Sequence, residues 1–151
     1  MPPFFLKTSP RTMKARLKLS EGVTWLAESG TGHAIAIDGA PDIGGRNLGM
    51  RPMELVLLGV GGCSAMDVMH ILRKARQQVT DCVVELEAER ADTDPKVFTK
   101  IEMVFVVTGK DLKEAQVKRA VELSAEKYCS ASIMMGRAGV VVTHRYEIVA
   151  V

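Results

Sequence analysis

The chain reads as an α+β domain, and three observations carry that reading. Near the start and again in the second half, short segments alternate polar and apolar residues, the pattern of half-buried strands. Between them a segment opened by Pro52 is apolar on nearly every face, as in a helix buried all round. The resulting order is strands, helix, strands, helix, strand, which belongs to α+β architectures.

Residues 1–12 read as an N-terminal tail and residues 13–151 as a single domain. The opening Met-Pro-Pro-Phe-Phe-Leu is apolar, but it is too short for a signal h-region and has no basic start. Residues 14–19 alternate as a first strand, Glu21-Gly22 turns, and residues 23–26 form a second. The Ser-Gly-Thr-Gly at 29–32 turns again before a third strand at 33–38, giving an antiparallel meander. Residues 39–49, rich in Gly, Asp, Pro and Asn, form a surface loop.

Pro52 suits the first position of a helix, where its missing N–H costs nothing. The helical pattern runs from Met53 to about Gln77, and the basic Arg73-Lys-Ala-Arg76 suits the negative end of its dipole. Gly59, Gly61 and Gly62 interrupt it, either to permit close helix packing or to break it into two segments. Cys82, Val84, Leu86 and Ala88 then alternate with Val83, Glu85, Glu87 and Glu89 in a strand with one wet acidic face. After a turn at residues 92–95, Ile101, Met103, Phe105 and Val107 carry the next strand. Asp111 and Glu114 resemble a capping box opening a helix to about Lys127, with Val117, Val121, Ser124 and Tyr128 on one face. A short helix at 132–137 and a strand at 140–148 close the chain.

Composition narrows the function classes. A hydrophobic fraction of 47% and a charged fraction of 25% are those of an ordinary globular protein. The net charge of +2 is dispersed, without the basic footprint of a nucleic-acid binder. Three cysteines make no disulfide scaffold and point to the reducing cytoplasm. The uncharged run at residues 55–66 is about half the length of a membrane span, so no membrane partner is expected.

The residues from Leu57 to Ser64 imitate a strand entering a glycine-rich dinucleotide turn, with Glu85 or Glu87 where a ribose-binding acid would fall. Ser64 replaces the third glycine and Pro52 starts a helix upstream, so no cofactor is expected. Cys63 has two readings. If a helix begins at Gly61–Gly62, free N–H groups favour its thiolate; otherwise it is a small buried hydrophobe. Glu54 lies nine residues earlier, on the opposite face of an unbroken helix but able to approach Cys63 if the glycines break it. Cys129 ends the second helix, beside the short one. Cys82 reads as core, and Asp67 and His70 as polar contacts. His33, His70 and His144 have no zinc-type spacing, so no metal is expected.

Pro52-Met-Glu54 followed by Cys63-Ser-Ala, and later Leu123-Ser-Ala-Glu-Lys-Tyr-Cys129 before a Val-rich strand, resemble the OsmC/Ohr family, closest to its YhfA-like branch. The resemblance runs from Met13 onward. It implies the OsmC-like fold, antiparallel sheets wrapped around a long central helix in an intertwined homodimer, with active sites at the dimer interface. It further implies a thiol-dependent peroxidase that reduces organic hydroperoxides in oxidative stress defence. Cys63 would be peroxidatic and Cys129 resolving, with a dithiol reductant of lipoyl or thioredoxin type restoring the pair. Glu54 would match the glutamate that holds an arginine over the thiolate. The early turn at residues 28–33 lacks that arginine, leaving Arg51 or Arg46 as substitutes. The alternative is a non-catalytic relative that binds a small apolar ligand or senses redox state.

Overall fold

Alternation in the sequence becomes strand pairing in the computed structural model, which describes residues 11–151. Residues 1–10, most of the expected tail, lie outside the described part. The described residues form two compact units that divide between Val56 and Leu57.

In the first unit, β1 (Ala15–Glu21), β2 (Thr24–Ser29) and β3 (Ala34–Ile37) make an antiparallel sheet in that order. Leu19 faces Trp25 and Leu17 faces Ala27; across the next pair Trp25 faces Ile37 and Ala27 faces Ile35. Period-two geometry therefore gathers the apolar residues on one side of the sheet. Leu17, Leu19, Trp25 and Ile35 on that side are all exposed.

The loop after β3 is organised by the buried Asp38. Its carboxylate accepts N–H bonds from Gly39 at 2.8 Å, Arg46 at 2.9 Å and Leu48 at 3.0 Å, and the Thr24 hydroxyl lies 3.3 Å away. The Leu48 and Arg46 bonds are the main reason its carboxyl titrates below the usual carboxylate range. That contribution to stability is present above the ordinary carboxylate pKa and is lost as pH falls through the lowered one. The loop closes so tightly that a Cβ on Gly45 would lie 1.8 Å from the Gly39 carbonyl oxygen.

The helix α1 (Pro52–Lys74) is continuous, and the division between units falls within it. The glycines do not break it, and Gly61 serves packing. A Cβ on Gly61 would sit 2.6 Å from Leu86 Cδ1, so the missing side chain lets the helix lie close on the sheet. The chain does not enter a dinucleotide-type turn here; residues 57–64 are helical. Gly61→Ala is expected to force Leu86 aside and to cost about 1–3 kcal/mol. Urea denaturation should show a lower midpoint at unchanged slope; an unchanged midpoint would contradict the packing role.

The second sheet contains β4 (Gln78–Arg90), β5 (Phe98–Lys110) and β6 (Val141–Ala150), with β5 central. Cys82, Val84, Leu86 and Ala88 pair with Val107, Phe105, Met103 and Ile101, and these four β5 side chains are fully buried. Val60, Val68 and Leu72 of α1 join them in the core, as do Val117, Ala120 and Val121 of α2 (Glu114–Leu123). β4 and β5 pair antiparallel, but β6 runs parallel to β5. The helices between β5 and β6 carry the chain back across the sheet, the long crossover that a parallel neighbour requires.

Two helix ends differ from the sequence expectation. α1 stops at Lys74 because Arg76 adopts φ 54°, and the Arg76 and Gln77 N–H groups bond back to the Arg73 and Leu72 carbonyls. This left-handed ending is usually built on glycine. Asp111 likewise takes φ 51° and forms no capping box. α2 begins at Glu114, and the Lys113 N–H before it donates to Gln77 Oε1 at 2.8 Å.

Candidate functional site

Cys63 projects from the middle of α1, half-buried, and Asp67 follows one turn later on the same face. The opposing wall comes from an irregularity. After α2 the chain makes a π-helical turn, Ser124–Tyr128, in which the Cys129 N–H reaches back to the Ser124 carbonyl at 2.9 Å. The wider turn changes the phase of the helix. Tyr128, expected on the buried face with Val117, Val121 and Ser124, is half exposed, and Cys129 becomes fully buried instead. Single π turns of this kind recur at functional sites.

Cys129 is the N-cap of α3 (Ser130–Arg137), and its sulfur accepts the Ser132 N–H at 3.4 Å. The Ser64 hydroxyl donates to the same sulfur at 3.1 Å. The Ala131 N–H, also in the first turn of α3, is near enough to Cys63 to favour its thiolate. Free N–H groups at one helix start thus serve both sulfurs. A helix N-terminus does reach Cys63, but it belongs to α3; Cys63 is not in the first turn of its own helix.

The sulfurs of Cys63 and Cys129 and a carboxylate oxygen of Asp67 lie within 4.8 Å of one another. Both thiols are free. The Ser124 hydroxyl lies 3.4 Å from Asp67 Oδ2 and 3.5 Å from the Ser64 carbonyl oxygen. The Ser132 hydroxyl is 3.4 Å from His144 Nε2, whose ring is stacked on Phe105 and whose pKa burial lowers. A cleft of about 620 Å³ between α1 and α2, lined by Asp67, His70, Lys74, Arg119 and Tyr128, reaches the carboxylate side of the cluster.

Burial is the main cause that pushes the Cys63 thiol above its ordinary value. The Ala131 N–H works against it, while the Cys129 thiol and the Asp67 charge add to the rise. Cys82 lies apart on the inward side of β4, half-buried and raised by burial and by Asp81.

Glu54 and Arg51 lie in the unit that ends at Val56. The Arg51 N–H donates to Glu54 Oε2 at 2.9 Å, and its guanidinium stands 3.8 Å from Oε1. The other candidate arginine, Arg46, is engaged by Glu21 at 3.0 Å. The sequence reading brought forward both cysteines but took Asp67 only as a polar contact and Ser124 only as part of a helix face, and gave Ser64 no part in the site. The four-residue spacing of Cys63 and Asp67 was the visible signal for one of them.

The sequence model for OsmC-like protein matches residues 44–145. Protein YhfA of Escherichia coli strain K12 is 52% identical over 141 residues, covering 91% of this chain and 99% of its own. The crystal structure of a hypothetical protein from Aquifex aeolicus VF5 matches with a TM-score of 0.81 at 33% identity, covering 93% of this chain and 98% of that one. The organic hydroperoxide resistance protein OhrB of Bacillus subtilis shares the fold, with a TM-score of 0.62 at 22% identity over 92% of this chain and 100% of its own. The chain belongs to the OsmC-like family.

Proposed function

We propose that this protein is a thiol peroxidase that reduces organic hydroperoxides through a Cys63/Cys129 thiol–disulfide cycle. The observation that carries the reading is the approach of the two free sulfurs, within 4.8 Å beside the start of α3. Cys63 is the more accessible of the two, and Cys129 is fully buried behind it. The Cys63 thiolate attacks the terminal peroxide oxygen; the O–O bond breaks, an alcohol leaves, and Cys63 becomes a sulfenic acid. The Cys129 thiol then displaces water and forms the disulfide. An external dithiol, of lipoyl or thioredoxin type, supplies two electrons and two protons to restore both thiols. A relative's name, organic hydroperoxide resistance protein, supports this substrate class. Consumption of cumene hydroperoxide with a dithiol in excess tests it; no turnover above the protein-free rate would sink it.

The active form is a homodimer in this reading. On α1, Leu58 and Met66 are 53% and 76% exposed, and a Cβ on Gly59 or Gly62 would meet nothing within 4 Å. These four residues form one smooth apolar helical face suited to a second copy of α1. The apolar side of the first sheet is also open. Glu54 holds Arg51 as the cation that stabilises the Cys63 thiolate in the assembled dimer. Alkylation of Cys63 checks this assignment. Removing a like charge by Asp67→Asn should speed the reaction a few-fold near pH 7, and Arg51→Gln should slow it comparably. Both differences should shrink as the pH rises through the raised Cys63 pKa, where the thiol ionises in every variant. Equal rates in all three proteins at pH 7 would contradict these roles.

A second reading, a redox sensor or binder of a small apolar ligand, is favoured by the raised Cys63 thiol, because a neutral thiol is a slow nucleophile. Single oxidation by peroxide without turnover would select it.

A further inference from the structure

The peroxidase cycle uses the two sulfurs but leaves the third member of the cluster without a task. Asp67 brings a negative charge to a place where a nucleophilic thiolate needs a positive one. Its oxygen and both sulfurs lie within 4.8 Å of one another, although they come from segments more than sixty residues apart. We propose that Cys63, Asp67 and Cys129 form a binding site for a thiophilic divalent cation, zinc above all, with a fourth position left open.

The residue types fit. Two thiolates and one carboxylate neutralise a dication with one negative charge to spare, and sulfur with oxygen suits a borderline-soft ion. Around a tetrahedral zinc, ligand atoms stand about 3.6–3.8 Å apart, as bonds of 2.3 Å to sulfur and 2.0–2.2 Å to oxygen require. Three side chains already within 4.8 Å reach that spacing by small rotations.

The surroundings fit as well. Metal sites depend on outer hydrogen bonds that orient the ligands. Here Ser64 Oγ–H and Ser132 N–H point at Cys129 Sγ, Ala131 N–H at Cys63, and Ser124 Oγ lies 3.4 Å from Asp67 Oδ2. Cys129 and Asp67 thus each have an orienting hydrogen-bond partner, and the start of α3 faces Cys63. The cleft lined by Asp67, His70 and Lys74 gives a route for the ion and room for a water or small ligand in the fourth position.

The site can hold a cation whether or not the thiols turn over peroxide. Where they do, ion and peroxide compete for the same sulfurs, and the bound ion also blocks oxidation to the disulfide.

Cobalt(II) reports the ligands directly. The reduced full-length protein, titrated anaerobically, should take up one Co²⁺ per chain. It should show a near-ultraviolet sulfur-to-cobalt charge-transfer band with intense tetrahedral visible bands, both displaced by Zn²⁺. Cys63→Ser should remove most of the charge-transfer intensity, and Asp67→Asn should weaken affinity at least tenfold. Far-ultraviolet circular dichroism shows that each variant is folded. The isosteric Asp67→Asn keeps the test decisive if a cysteine variant is unstable. No charge-transfer band, or binding that both variants leave unchanged, would overturn the site. Failure of peroxide turnover with these bands intact would count against the peroxidase alone.

Discussion

Cys63→Ser is expected to abolish hydroperoxide reduction, lowering kcat/KM by at least about a thousandfold to the level of the protein-free reaction. A serine hydroxyl stays protonated at any pH the protein survives, so the attacking anion is lost outright. The change removes only polarisable volume from a half-buried position on α1, and the fold should persist. Cys129→Ser is expected to differ in kind. Cys63 would still react once with peroxide, but the sulfenic acid would lack its intramolecular thiol. Turnover would fall, and Cys63 would progress to sulfinic acid under excess oxidant. Equal, full activity in both variants would remove the thiol cycle.

The second large effect concerns assembly. Leu58→Asp with Met66→Asp should convert the proposed dimer to monomer, weakening self-association by on the order of a hundredfold or more, because charges buried at a helix contact would not be compensated there. Sedimentation of the parent protein should give twice the chain mass of 16.4 kDa, and of the double variant the chain mass itself. The variant should also lose peroxidase activity if Arg51 and Glu54 act only in the assembled dimer. A parent protein that sediments as a monomer would contradict both statements.

Alternation made much of the second sheet legible. Cys82, Val84, Leu86 and Ala88 point inward on β4, and Ile101, Met103, Phe105 and Val107 are fully buried on β5, as the period of two requires. Backbone conformation at single residues was not legible. Arg76 and Asp111 adopt left-handed φ values that residue type does not announce, and each moved a helix end by a few positions. Gly61 of α1 carried two meanings, and only the position of Leu86, far along the chain, decides for packing. The direction of β6 was hidden for a related reason: strand pairing is set by the crossover, not by the strand's own pattern.

The site shows the same division. Both cysteines stand in motifs that sequence alone singled out, yet their surroundings depend on a π turn that no local propensity encodes. That turn buries Cys129, exposes Tyr128 and places α3 so that its first N–H groups meet two sulfurs. Asp67 joined the cluster through helical spacing to Cys63, which became meaningful only once α1 proved continuous.

The most direct test of the thiol cycle is peptide mapping after one equivalent of cumene hydroperoxide is added to the reduced protein. The predicted result is loss of two thiols per chain and a cross-linked peptide joining Cys63 to Cys129, with Cys82 still alkylatable. Consumption of the peroxide with Cys129 left as a free thiol, or no consumption at all, would contradict it.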